Sequence, residues 1–188
     1  YAPLIQAFGD AVEVEPWTYD SGHFDSYAAL ADAFESTMRR HADVVLVAES
    51  FAGPLAVMLA HRHPARVRAV VLAASFVHNP LPVSALLANV LQRMPAIAPP
   101  VFALERLLAG EGMPSDLRKE LDLILDAIPV DVLRRRALAA LRVDVRDELA
   151  GLTMPLLYLQ ARHDRLIRPR AGRDIARLAR NARRETIA

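Results

Sequence analysis

The sequence contains no cysteine and a single lysine, Lys119, and it has no apolar run as long as a membrane span. The absence of cysteine excludes disulfides, thiolate metal sites and cysteine nucleophiles together. No uninterrupted apolar segment approaches the roughly 18 residues that cross a bilayer, so no membrane span is expected. The arginines are interspersed with acidic residues and the formal net charge is +1, which argues against a nucleic-acid partner.

Several motifs are missing as well. No G-x-G-x-x-G follows a strand-like run and no Gly-Lys-Ser/Thr occurs, so nucleotide binding is not indicated. The pair His61 and His63 has no carboxylate at helical spacing beside it, and neither a metal site nor a cofactor is expected. Residues 1–20 lack the basic start and apolar core of a signal peptide. We therefore expect a cytoplasmic protein, although the chain opens on Tyr1 and not on methionine.

Apolar runs alternate with amphipathic helical patterns through most of the chain. This pattern predicts an α/β fold with a mostly parallel sheet and helices on both faces. The uninterrupted run at 44–47 is typical of a strand buried on both faces. Catalytic sites in such sheets form at the carboxyl ends of the strands. The predicted strands are 12–17, 43–48, 67–74 and 154–160, with a further strand starting near 184, and the predicted helices are 4–8, 26–40, 54–63 and 169–180.

Residues 79–150 do not show the alternation of strands and helices seen in the rest of the chain. Prolines interrupt short amphipathic helical patterns there, and no buried strand is recognisable. We interpret 1–78 and 151–188 as the α/β core and 79–150 as a helical cap inserted into it. Some seventy interrupted residues could hardly bury an independent core. The first half of the insertion is notably apolar. A lid that lines an apolar pocket and a helix pair packed flat on the sheet both fit this pattern.

The strand at 43–48 ends at Ser50, and a helical pattern begins almost at once. Ala48, Ala52 and Gly53 flank the serine with the small residues that a tight strand-to-helix turn requires. The pattern is a relative of the G-x-S-x-G nucleophile elbow, which exposes the serine Oγ above the sheet edge. In such an elbow the backbone N–H of Phe51 would be an oxyanion donor. The alternative is that Ser50 merely caps the helix, a role that serine performs well.

A carboxylate stands at the same predicted edge of the sheet. Asp164 follows the strand at 154–160, in a polar loop that Pro169 closes. A carboxylate there could orient a histidine and stabilise its protonated form. An isolated loop aspartate more often makes local turn hydrogen bonds. The order of Ser50 before Asp164 is the order expected of an α/β-hydrolase triad.

The segment 48–56, His63-Pro64, the strand at 67–74 and the segment from Met154-Pro155 to Pro169 together resemble the α/β-hydrolase superfamily. The resemblance extends over about residues 4–188 in the order of elements. Its motifs are shared by esterases, lipases, thioesterases, lactonases and some acyltransferases. It implies that Ser50 is the nucleophile, Asp164 the triad acid, the Phe51 N–H an oxyanion donor and 79–150 the cap. Asn79, at the position where some relatives carry the acid, is not a carboxylate.

The family's histidine follows the acid by about 25 residues, given ordinary element and loop lengths. Only 24 residues follow Asp164 here, and none is histidine. His23 and His78 lie in loops that could approach the site, whereas the other four histidines do not fit the role. The family's second oxyanion loop is also missing, from the region before residue 1. We expect the chain to be truncated at both ends, with the triad histidine beyond residue 188.

These observations favour a serine hydrolase that cleaves a carboxylic ester or related acyl compound through an acyl-enzyme on Ser50. The expected partner is a small-molecule acyl or ester substrate, and the apolar first half of the insertion suggests that part of it is apolar. Serine at position 50 excludes an aspartate nucleophile. The alternative is a non-catalytic binding or interaction module that keeps the fold without a working triad.

Overall fold

The computed structural model describes residues 2–20, 22–80 and 127–187, together with residues 119 and 123. Its helices, numbered through the described residues, are α1 (Ala2–Phe8), α2 (Tyr27–Arg40), α3 (Gly53–Arg62), α4 (Val130–Arg142), α5 (Arg146–Ala150) and α6 (Pro169–Leu178). The strands are β1 (Val44–Glu49), β2 (Val67–Ala73), β3 (Leu156–Ala161) and β4 (Ala182–Ile187). Short 3-10 turns occupy Gly9–Ala11 and Ser50–Ala52.

The four strands form one sheet in the order β1-β2-β3-β4, and every neighbouring pair is parallel. The predicted α/β architecture with a parallel sheet is therefore confirmed. Parallel strands need crossover connections, and helices supply them here. The carboxyl ends of all four strands consequently meet at one edge, where Ser50 follows β1 and Asp164 follows β3.

The most buried strand residues share one face of the sheet. Leu46 lies opposite Val70 and Ala48 opposite Leu72, and all four are at most 8% exposed. Helix α3 packs on β1 and β2, and α6 packs on β3 and β4. On the opposite face of β1, the side chains of Val45 and Val47 are 55% and 49% exposed. The predicted burial of this strand on both faces is therefore wrong, because the packed helix covers only the face of Leu46 and Ala48.

Helix α2 begins where the sequence predicts. The Ser26 side chain accepts a hydrogen bond from the Ala29 N–H at 3.1 Å, which satisfies one of the unpaired amides of the first turn. Tyr27, Ala31 and Met38 form the buried stripe of this helix. The stripe packs against α3, the helix that follows Ser50. This packing places Tyr27 beside the turn between β1 and α3.

The predicted strand at 12–17 is wrong, since these residues form no strand and Val12 and Val14 are exposed. Alternation of apolar and polar residues is a local signal, whereas a strand needs a partner of complementary register. Side chains hold this stretch instead. Glu15 accepts from His41 Nε2 at 2.6 Å, and the Trp17 ring stacks on Phe34 at 4.7 Å.

Most of the predicted cap lies outside the described residues, including the apolar half of the insertion. The described part contains α4 and α5. An isolated antiparallel bridge pairs His78, just before the insertion, with Asp144, which lies between α4 and α5. Arg136 of α4 donates to the Asp20 carbonyl at 2.8 Å and lies over the Tyr19 ring at 5.7 Å. Helix α4 is thereby attached to the segment before α2. None of the described helices is long and apolar enough to cross a membrane.

Candidate active site

Ser50 lies in a strained turn between β1 and α3. Its backbone φ is +49°, a left-handed value that is uncommon for any residue with a side chain and costs about 1–3 kcal/mol. Such strain concentrates at functional sites. The capping alternative does not fit, because Ala52 occupies the N-cap of α3 and the helix has no side-chain cap. Pro54 lies in the first turn of α3, where its missing N–H costs nothing.

Two side chains from other elements hold the carbonyls of this turn. The Ser75 hydroxyl donates to the Ser50 carbonyl at 2.7 Å, and the Tyr27 hydroxyl donates to the Phe51 carbonyl at 2.9 Å. The Gly53 N–H closes the 3-10 turn onto the same Ser50 carbonyl. Burial raises the pKa of the Tyr27 phenol well above its ordinary value, so it remains a donor. The turn is thus held from α2 and from the end of β2.

Neither Ser75 nor Tyr27 is predicted from the sequence as part of the site. Ser75 is separated from Ser50 by 25 positions, and Tyr27 from Phe51 by 24, so no local pattern links them. The sequence contains one indirect sign of this contact, which is the glycine at position 53. A Cβ atom at Gly53 would lie 1.7 Å from the Ser75 Oγ. The need for a residue without a side chain at position 53 therefore arises from the packing of the Ser75 hydroxyl as well as from the tight turn.

The Phe51 side chain lies at the centre of an aromatic cluster, formed by Trp17, Tyr19, Phe24, Tyr27, Phe34 and Phe51. Its ring stacks on the Tyr27 ring at a centroid distance of 4.7 Å. The rings of Phe24 and Tyr19 meet it edge-on at 5.6 and 6.1 Å. Edge-to-face and offset-stacked pairs each add about 0.5–1.5 kcal/mol beyond the area that they bury. The residue that follows Ser50 is therefore anchored through both its ring and its carbonyl.

Asp164 lies in the loop between β3 and α6. Its Oδ1 accepts hydrogen bonds from the Leu166 N–H at 2.8 Å and the Ile167 N–H at 2.7 Å, so the local-turn interpretation of this residue is correct as far as Oδ1 is concerned. These two bonds do not use Oδ2. Burial raises the pKa of the Tyr158 phenol to about 12, and the charge of Asp164 contributes to that increase. The charge of the Asp164 carboxylate therefore reaches the buried phenol of Tyr158 in β3.

All six histidines are within the described ranges, and none is hydrogen-bonded to Ser50 or Asp164. His23 contacts Asp25 at 3.0 Å, and His78 contacts Asp174 at 3.4 Å. His63, at the C-terminal end of α3, contacts Glu35 at 3.0 Å. The two loop histidines that could have approached the site thus face other carboxylates. A histidine hydrogen-bonded to Asp164 is the part of the predicted triad that the described residues do not show.

Two of the cavities lined by described residues lie near the helices around the sheet. One, of about 260 Å³, lies between the segment after β2 and the start of α6, and His78, Asn79, Arg168 and Asp174 are among its lining residues. The other, of about 500 Å³, lies between α2, α3 and the helices α4 and α5. Neither is lined by Ser50 or Asp164. In the described parts of the chain, no group of three histidine or carboxylate side chains could hold a metal ion.

Comparisons with known proteins agree with this architecture. A family model described as Serine aminopeptidase, S33 (Hydrolase_4) matches residues 17–187. A hydrolase from Oleispira antarctica superposes with a TM-score of 0.72 at 19% identity, over 87% of this chain and 64% of its own. An esterase from Exiguobacterium antarcticum has a TM-score of 0.73 at 16% identity, over 87% and 65% of the two chains.

An enol-lactonase from Burkholderia xenovorans is similar as well, with a TM-score of 0.64 at 20% identity over 87% of this chain and 65% of that one. At these identities the likeness to solved structures shows the shared fold. The chain spans just under two thirds of the length of all three structures. No curated protein sequence matches the chain.

Proposed function

The chain belongs to the Hydrolase_4 family (Serine aminopeptidase, S33) of α/β hydrolases, and from this premise we propose that it cleaves a carboxylic ester or related acyl compound through an acyl-enzyme on Ser50. The observation that carries the proposal is the backbone of Ser50. It has a positive φ, directly follows a parallel strand, and leaves the capping position to Ala52. A serine that only caps a helix needs no such strain, because the N-cap backbone is ordinarily extended.

The proposed reaction has two steps. In the first, Ser50 Oγ attacks the substrate carbonyl, its proton passes to a general base, and the alcohol leaves with a proton from that base. In the second, water attacks the acyl group, the carboxylic acid is released and Oγ regains its proton. The negative charge on the carbonyl oxygen is stabilised by the Phe51 N–H at the start of the 3-10 turn.

Asp164 is proposed to orient the general base, a histidine, and to stabilise it when protonated. Its carboxylate is held by two backbone amides through Oδ1, which fixes the plane in which Oδ2 lies. None of the described histidines is hydrogen-bonded to Asp164, so the proposal does not assign the base to a particular histidine of this sequence. The proposed cap at 79–150 would supply the contacts to the acyl or alcohol portion of the substrate.

Fluorophosphonate labelling tests this proposal, since the reagent reacts with activated serine nucleophiles. The 188-residue chain and the longest natural form that contains it are compared, each with a Ser50→Ala variant. Ser36→Ala is the matched control, because Ser36 is exposed on α2. Labelling that disappears in Ser50→Ala and persists in Ser36→Ala supports the proposal. If the longest form folds but is not labelled, the result favours a non-catalytic binding module over a serine hydrolase.

Asp164→Asn tests the role of the acid separately from its role in the turn. The amide oxygen of asparagine can accept the same two backbone hydrogen bonds, so the loop is expected to keep its conformation. Loss of the charge should reduce kcat by about 10²–10⁴, because the base loses its orientation and its counter-charge. Unchanged kcat on p-nitrophenyl butyrate would remove Asp164 from the mechanism. Because the family description names an aminopeptidase, the same variants are also assayed with amide substrates.

A further inference from the structure

The peptide unit between Ser50 and Phe51 has two polar ends with different partners. Its C=O accepts the Ser75 hydroxyl at 2.7 Å and the Gly53 N–H. Its N–H belongs to Phe51, which is the proposed oxyanion donor. In a planar trans peptide the C=O and N–H bonds point in opposite directions. Whatever fixes the direction of the Ser50 carbonyl therefore also fixes the direction of the Phe51 N–H.

Ser75 is itself held rigidly. It is fully buried, and its own carbonyl accepts the Tyr158 hydroxyl at 2.8 Å. The preceding residue, Ala74, has a φ of +43° and donates its N–H to the Leu159 carbonyl at 2.9 Å. Ser50 and Ala74 are the two residues with side chains that have positive φ in the described part of the chain. Both strained positions thus border the same hydrogen bond.

We propose that Ser75 is a positioning residue for catalysis, whose hydroxyl aims and polarises the peptide that carries the oxyanion donor. This inference rests on the function proposed above. A donor on the carbonyl oxygen draws electron density out of the amide, which makes the opposite N–H a stronger hydrogen-bond donor. The bond also prevents the peptide plane from rotating when negative charge develops on the substrate. The benefit is therefore greatest in the transition state.

Tyr27 provides a matched comparison. Its hydroxyl donates to the Phe51 carbonyl at 2.9 Å, which is the next carbonyl along the chain. That carbonyl belongs to the peptide between Phe51 and Ala52, which does not contain the Phe51 N–H. Removing either hydroxyl deletes one hydrogen bond to the turn, but only the Ser75 hydroxyl acts on the oxyanion peptide. Ser75→Ala and Tyr27→Phe therefore separate positioning of the donor from general support of the turn.

The test uses p-nitrophenyl butyrate turnover and a trifluoromethyl ketone inhibitor in the longest natural form of the protein. Ser50 Oγ adds to the ketone carbonyl, whose oxygen then carries the negative charge. Ser75→Ala should lower kcat about tenfold, less than loss of a donor outright because Gly53 still holds the carbonyl. KM should change less than about twofold, and inhibitor affinity should fall by the same factor as kcat. Tyr27→Phe should lower kcat and inhibitor affinity by a smaller factor than Ser75→Ala does, because the Tyr27 hydroxyl supports the turn without acting on the oxyanion peptide.

Ser75→Cys keeps a weak donor at this position and should recover part of the lost kcat. It also replaces Ser75→Ala in the assay if the alanine variant does not fold. A folded Ser75 variant with unchanged kcat and inhibitor affinity would overturn the inference, as would an equal loss in Tyr27→Phe. If the parent protein shows no turnover that depends on Ser50, the proposed function fails as well. If turnover depends on Ser50 but is unchanged in the Ser75 variants, the positioning role of Ser75 fails and the proposed function stands.

Discussion

Replacing Gly53 by alanine should destabilise the protein, although alanine is the better residue for a helix. Gly53 has a φ of −60°, which is ordinary helical backbone. On propensity alone the substitution would stabilise α3 by about 0.5–1 kcal/mol. A Cβ atom at this position would, however, lie 1.7 Å from the Ser75 Oγ and 2.9 Å from the Ser75 Cβ. The packing against Ser75 must therefore outweigh the gain in propensity.

The size of the effect follows from how far the atoms must move. Real Cβ contacts begin at about 3.0 Å, so the Ser75 hydroxyl and the new methyl group must separate by about 1.3 Å. Both residues are buried, and Tyr158 holds the Ser75 backbone, so neither can move freely. Overpacking of a rigid site typically costs about 1–3 kcal/mol. We expect Gly53→Ala to lower the free energy of unfolding by about 2 kcal/mol.

A double-mutant cycle tests this explanation. In a Ser75→Gly background both clashing atoms are absent, and the next neighbour, the Phe76 carbonyl oxygen, lies at an ordinary 3.4 Å. Gly53→Ala should then be within about 1 kcal/mol of neutral, which gives a coupling free energy of at least about 1 kcal/mol. Urea unfolding of the parent, both single variants and the double variant measures it. Additive costs would refute the claim that Ser75 requires glycine at position 53.

Two further predictions concern stability. Tyr158→Phe leaves the buried Ser75 carbonyl without its 2.8 Å donor, so the free energy of unfolding should fall by about 1–3 kcal/mol; an unchanged urea midpoint would contradict this. Glu35 accepts hydrogen bonds from His63 and Arg39, which hold the pKa of its carboxyl below the ordinary 4.5. Its stabilising contribution is therefore present above the unfolded-state pKa and is lost as the pH falls through the lower native pKa. Glu35→Gln should flatten the fall in thermal stability between about pH 5 and pH 3, and an acid limb identical to that of the parent would contradict the assignment.

The β1–α3 junction shows how much local sequence can predict. The apolar run at 44–47 predicts the strand, the small residues around Ser50 predict the tight turn, and Pro54 predicts the start of the helix. All of these signals lie within a dozen residues. The resemblance to α/β hydrolases, based on this junction together with His63-Pro64, the strand at 67–74 and the segment 154–169, is confirmed by the family model that matches residues 17–187.

Interactions between distant residues explain what the sequence could not reveal. The alternation at 12–17 is a good local pattern for a strand, yet side-chain contacts from Glu15 and Trp17 to the region of α2 hold the segment instead. Ser75 and Tyr27 escape prediction for the same reason, because they reach the turn only through the packing of β2 and α2 against it. The exposure of Val45 and Val47 likewise depends on which elements cover the sheet. An apolar run does not reveal which faces of its strand those elements cover.

The covalent intermediate tests the central claim most directly. Trypsin should release residues 41–62 as one peptide, in which Ser50 is the only hydroxyl-bearing side chain. The protein is mixed with an excess of a slowly hydrolysed p-nitrophenyl ester, quenched with acid and digested for mass spectrometry. The account predicts that this peptide gains the mass of the acyl group in the parent protein and not in Ser50→Ala. Turnover without acylation of this peptide would contradict a nucleophilic role for Ser50.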